Sequence, residues 1–86
     1  MNRKDKIDEL VRNSIDGLEY FAQYNIKMFI DFVNHLYKVI EIECDTFTNG
    51  NDDERIAMIA ECCDQIKSAD YLEIPAEYRH ELLIIL

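Results

Sequence analysis

An all-α fold, a small helical bundle of three longer helices and a short fourth, is predicted by three features of this sequence. Apolar residues recur at helical spacing along nearly the whole chain. Gly occurs twice and Pro once in 86 residues, which is little punctuation for a sheet of many turns. Apolar residues make up 49% and charged residues 31%, a globular composition and not a disordered one. A chain of this length folds as one domain, residues 1–86, around a modest core.

Ile7, Leu10, Val11, Ser14, Leu18, Phe21 and Ala22 recur at helical spacing and predict a first helix over about 4–23. Gly17 weakens it, and Asp16 with Glu19 resembles a capping box, so two short helices joined at Asn13 to Asp16 are the alternative to one continuous helix. The second helix, about 25–46, carries a polar stripe of Lys27, Asp31, Asn34, Lys38, Glu41 and Asp45. One apolar band runs through Ile26, Phe29, Ile30, Val33, Leu36, Tyr37, Ile40 and Cys44, and a second through Met28, Phe32, Val39 and Ile42. Together the bands wrap roughly 200°, about twice the minimum for a one-sided surface helix. This helix is therefore expected to be covered on two sides, as the spine of the bundle.

The stretch TFTNGND ends it. Asn51 with Glu54 forms a capping box, and Asp52 and Asp53 suit the positive end of a helix dipole. Ile56, Ile59, Ala60, Cys63 and Ile66 give the third helix, about 52–68, its single apolar face. ADYLEI reads as a connector whose Tyr71, Leu72 and Ile74 cap the core, and Pro75 opens a fourth helix over about 75–86. The chain then reads LLIIL, and a helix cannot aim five consecutive apolar residues at one core. Leu82, Leu83, Ile84, Ile85 and Leu86, with Phe32 and Val39, are the candidate apolar contacts for a partner or a second copy. A twofold homodimer is the simplest cover.

The net charge of −9 is unevenly placed. Residues 1–40 hold six acids and six bases, whereas 41–64 hold eight acids against Arg55 alone. Asp53, Ala57, Glu61, Asp64 and Ser68 share an outward stripe on the third helix, flanked by Glu54 and Gln65. Acids one helical turn apart, about 5–6 Å, approach the spacing of phosphates along a nucleic-acid strand. Asp53, Glu54, Glu61 and Asp64, with Glu41 and Asp45 at the end of the second helix, are the candidate partner-binding acids. The bland alternative is a solvated face that keeps the protein in solution. Direct nucleic-acid binding needs clustered Lys and Arg, which only RKDK near the start offers, and the same shortage argues against an anionic membrane.

Catalytic and ligand-binding patterns are thin. Glu77 with His80, and Asp31 with His35, have spacings seen in metal-binding bundles, but Asp31 lies on a polar stripe and Glu77 and His80 fit a surface pattern with Arg79 and Glu81. Glu43 falls within the apolar arc of the second helix, where burial would raise its pKa, unless its side chain reaches past the helix end to solvent. Cys44, Cys62 and Cys63 are odd in number, two are adjacent, and no CxxC pair exists, so they read as small hydrophobes in a reduced core. Ser14 and Ser68 have no His in register, and TNGND is too acidic to cradle phosphate. No metal, cofactor or enzymatic role is expected.

These readings point to a non-catalytic, acidic protein-binding module, most concretely a small inhibitor that blocks a basic, nucleic-acid-binding surface of a protein partner. A phage or mobile-element protein directed against a host nuclease fits that description. The alternatives are a structural or regulatory adaptor binding through the apolar C-terminal residues, and an oligomer that sequesters a small ligand between subunits. No segment is apolar enough to span a bilayer and no apolar run follows the basic residues near the start, so a cytoplasmic location, in its own cell or an infected host, is expected.

Overall fold

The computed structural model describes residues 1–70 and 72–86, which form four helices and no strand: α1 Arg3–Phe21, α2 Ile26–Phe47, α3 Asp52–Lys67 and α4 Ala76–Ile85. Each long helix starts on an asparagine. Asn2, Asn25 and Asn51 accept from the N–H groups of Asp5, Met28 and Glu54 at 2.9, 2.9 and 3.0 Å, which satisfies one orphan donor at each start. The reciprocal half of the Asn51 capping box is not made, because the Asn51 N–H donates to the Thr48 carbonyl at 3.1 Å. Pro75 is the residue before α4, with φ −57° and ψ 149°, and not its first turn.

The first helix forms in one piece, without the alternative break at Asn13 to Asp16. Ser14 is buried but donates its hydroxyl to the Leu10 carbonyl at 2.6 Å, so the helix continues through it at little cost. Glu19 caps nothing locally; its carboxylate accepts from the Glu73 N–H in the connector at 3.3 Å. Gly17 has a tertiary role. A Cβ there would strike the ring of Phe32, which stacks on Phe21 with centroids 4.5 Å apart, so the missing side chain lets α2 approach α1.

At about 1.5 Å per residue the 22 residues of α2 measure some 33 Å, nearly the full length of a molecule 37 × 21 × 17 Å in extent. It touches all three other helices and is the spine. In its first band Phe29, Val33, Leu36, Ile40 and Cys44 are buried as expected, whereas Ile26, Ile30 and Tyr37 are half-buried. Its second band is not buried. Met28 and Ile42 are exposed and Phe32 and Val39 are half-buried, with Phe32 set against Gly17 and Phe21 of α1.

Helix α4 runs alongside α2 in the same direction. Tyr78 in its first turn lies 5.0 Å from Phe29 and donates its hydroxyl to the Tyr24 carbonyl. Leu82 is fully buried, Leu72 of the connector is buried, and Ile74 packs against the core; the contact expected of Tyr71 lies outside the described residues. Arg79 joins no ion pair among the described residues. It turns to the carbonyls of Lys67, Ala69 and Leu72 at 3.4, 3.4 and 3.0 Å, tying α4 to the end of α3.

The face of α3 differs in part from the one expected: Cys63 and Ile66 are buried and Ile59 packs against the core as expected, but Ile56 and Ala60 do not join them. Met58, Cys62 and Ile66 are fully buried between α1 and α2, whereas Ile56 is 60% exposed and Ala60 is exposed. At about 100° per residue the two apolar stripes lie roughly 110° apart around the helix, and α1 covers only the first. Among the described residues, no helix is long and apolar enough to cross a membrane.

Candidate functional site

The α2–α3 turn gathers acids at one tip of the molecule. The Gly50 N–H donates to the Asp45 carbonyl at 3.0 Å and the Asn49 N–H to Thr46 at 3.3 Å, closing α2 with Asn49 and Gly50 both at positive φ. Asn51 starts α3 immediately, so Asp45 from one helix and Asp52, Asp53 and Glu54 from the next share this tip. Arg55 is the base among them. It bonds to Asp52 at 3.0 Å and lies 3.9 Å from Asp45, with its buried Nε lacking a hydrogen-bond acceptor among the described residues. Asp53 and Glu54 are exposed and in no ion pair among the described residues.

The outward stripe of Asp53, Ala57, Glu61, Asp64 and Ser68 is exposed along its whole length. Its acids are not all unpaired. Glu61 meets Arg3 of α1 at 3.3 Å, and Asp64 lies 3.8 Å from Lys67. These two also face opposite flanks: Glu61 lines a hollow with Arg3, Lys4 and Ile7, while Asp64 lines one on the α2 side with Glu41. Glu41 and Asp45 border a third hollow with Lys38 and Ile42. The six candidate acids thus divide into a tip and two flanks of α3.

The hollow on the α2 side is a groove of about 350 Å³. Its floor is the stripe expected to be core, Ile56, Ile59, Ala60 and Cys63; its walls include Tyr37 and Glu41 of α2 and Leu86 at the end of α4. Periodicity finds these residues but cannot say which of two apolar stripes receives α1. Met58 and Cys62, at i,i+4 spacing with Ile66, were the missed signal. The candidate apolar contacts also divide. Leu82 is core, Ile85, Leu86 and Phe32 pack against the core, Val39 is half-buried, and only Leu83 and Ile84 stand out at 49% and 65% exposure.

The remaining chemical candidates resolve structurally. Glu43 leaves the apolar arc to bond Lys6 at 3.0 Å, and that hydrogen bond holds the Lys6 ammonium pKa above its ordinary value. Burial pushes the thiols of Cys44, Cys62 and Cys63 up, Cys62 to about 12, which keeps them protonated and poorly nucleophilic near neutrality. Asp31, His35, Glu77 and His80 are all exposed, and among the described residues no three His, Cys, Asp or Glu side chains converge as a metal site would require. No protein-family model, curated protein or solved structure matches this chain.

Proposed function

We propose that this protein is a non-catalytic binding module whose acidic tip engages a basic surface of a protein partner, acting as a small inhibitor where that surface binds nucleic acid. The observation that carries the reading is the α2–α3 turn, which sets Asp45, Asp52, Asp53 and Glu54 together against Arg55 alone. Helix-dipole stabilisation accounts for acids in the first turn of α3, but not for Asp45 in the last turn of α2, where a carboxylate meets the negative end of the dipole. A cytoplasmic site of action, including that of an infected host, is part of this proposal.

Immobilised protein offered a cell extract cleared of nucleic acid tests it. Captured proteins are expected to carry basic nucleic-acid-binding surfaces, to be displaced by duplex DNA, and to elute before about 0.5 M salt. Capture should be lost with Asp53→Lys/Glu54→Lys and kept with Asp16→Lys/Asp31→Lys, which makes the same change in net charge elsewhere. Capture that both variants retain equally would sink the proposal.

A second reading, an adaptor that binds through apolar contacts, draws on the exposure of Leu83 and Ile84 on α4. It predicts capture that persists above about 0.5 M salt and disappears with Leu83→Asp/Ile84→Asp.

A further inference from the structure

We propose that the groove between α2 and α3 docks one amphipathic α-helix of a partner protein, apolar on the side laid into the groove and carrying Lys or Arg on its flanks. The inference deepens the reading above, on which it rests for the sign of the partner's charge.

Geometry sets the shape of the occupant. Ile56, Ile59, Ala60 and Cys63 follow i, i+3, i+4, i+7, the stripe on which a second helix packs, over two turns or about 10 Å, with Ile56 and Ala60 exposed, Ile59 half-buried and Cys63 buried beneath them. The α2–α3 pair already receives helices in this way. Helix α1 packs on another face of α3, where Met58, Cys62 and Ile66 are fully buried, and α4 runs beside α2 until Leu86 reaches the groove that Tyr37, Ile59 and Ala60 also line. The groove continues past Leu86 to Arg55 and Ile56 in the first turn of α3, where Ile56 is 60% exposed among the described residues. Ala60 at its middle is small enough to admit the apolar ridge of an incoming helix.

Charge sets its chemistry. Four charged side chains line the groove, Glu41, Asp64, Arg55 and Lys67; Lys67 lies 3.8 Å from Asp64 and Arg55 is held by Asp52 and Asp45, which leaves Glu41 in no ion pair among the described residues. The open end of the groove leads to the acidic tip, where Arg55 is already shared between Asp45 and Asp52. A second copy of a chain carrying −9 would bring like charge to that end. Basic flanks on a helix from another protein complement it.

Three labelled 18-residue peptides on one apolar template test this by fluorescence anisotropy against the full chain. The first has Leu at helical spacing with Lys elsewhere, the second replaces Lys with Glu, and the third breaks the Lys peptide with two central Pro. The Lys peptide should bind with Kd in the tens of micromolar, and the Glu and Pro peptides about tenfold or more weaker. Ile56→Glu/Ala60→Glu should abolish binding although it makes the protein more acidic, which separates groove docking from charge attraction alone. Ala60→Trp fills the groove without adding charge and should also block it; circular dichroism checks that both variants are helical.

Three results would overturn the inference. Binding that survives both variants would place the peptide elsewhere, and its loss in Asp53→Lys/Glu54→Lys would then leave the acidic-tip reading standing without the groove. Absence of binding by the Lys peptide at about 1 mM would remove the groove from consideration, while the capture experiment judges the tip independently. Light scattering that finds a dimer, made monomeric by Ile56→Glu/Ala60→Glu, would show that the groove is covered by a second copy.

Discussion

Gly50 sits at φ +76° beside Asn49 at φ +53°, two left-handed residues in succession between a helix end and a helix start. A Cβ at Gly50 has open space, its nearest neighbour being an Asp45 carboxylate oxygen at 4.0 Å, so Gly50→Ala isolates the backbone cost. It should destabilise the protein by about 1 kcal/mol in urea unfolding, with an unchanged m-value. Asn51→Ala, which removes the acceptor for the Glu54 N–H, should cost about 1 kcal/mol as well. Both positions were legible in the sequence, because turns and N-caps are written within a few residues. Gly17 was not: its reason is the ring of Phe32, on another helix. Glu19 looked like half of a local capping box and is instead engaged by Glu73, 54 residues away. Local signals misled where a distant group competed for the same side chain.

Helix α3 shows the same limit one level up. Periodicity found its length and one apolar stripe, but a helix with stripes at Met58–Cys62–Ile66 and Ile56–Ala60–Cys63 offers two faces to the core. Which face α1 takes depends on the angle at which α1 crosses, and no residue in α3 records that. Two substitutions measure the outcome. Met58→Ala empties a fully buried site and should cost about 2–5 kcal/mol. Ile56→Ala, at a side chain 60% exposed, should stay within about 0.5 kcal/mol of the parent. Equal losses in urea unfolding would mean that something covers the groove in solution. The acidic stripe was easier to read than the groove, because an exposed polar face needs no knowledge of what packs opposite; its pairings with Arg3 of α1 and Lys67 emerged only from the fold.

The whole molecule is a rod whose spine, α2, contacts every other helix, and its three thiols lie where α2 and α3 meet. That placement gives stability a pH dependence of known sign. Burial raises the Cys62 pKa from 9.0 to about 12 and raises Cys44 and Cys63 in the same direction, so the unfolded chain gives up these protons first. A group whose folded pKa is raised contributes its full stability below the unfolded value and loses it as pH climbs toward the folded one. Lys6, raised from 10.5 by its hydrogen bond to Glu43, and Tyr24, raised from 10.0 by its hydrogen bond to Tyr20, have the same sign but act at higher pH. Between about pH 9 and 10 the thiols therefore dominate. The melting temperature of the parent protein should hold steady from neutrality to about pH 8.5 and fall through that window. Cys44→Ala/Cys62→Ala/Cys63→Ala should melt lower at pH 7, because it leaves small cavities, yet lose the slope between pH 9 and 10. A triple variant with the parent's slope would mean that the thiols ionise as freely in the folded protein as in the unfolded chain, and that the α2–α3 core is open to water.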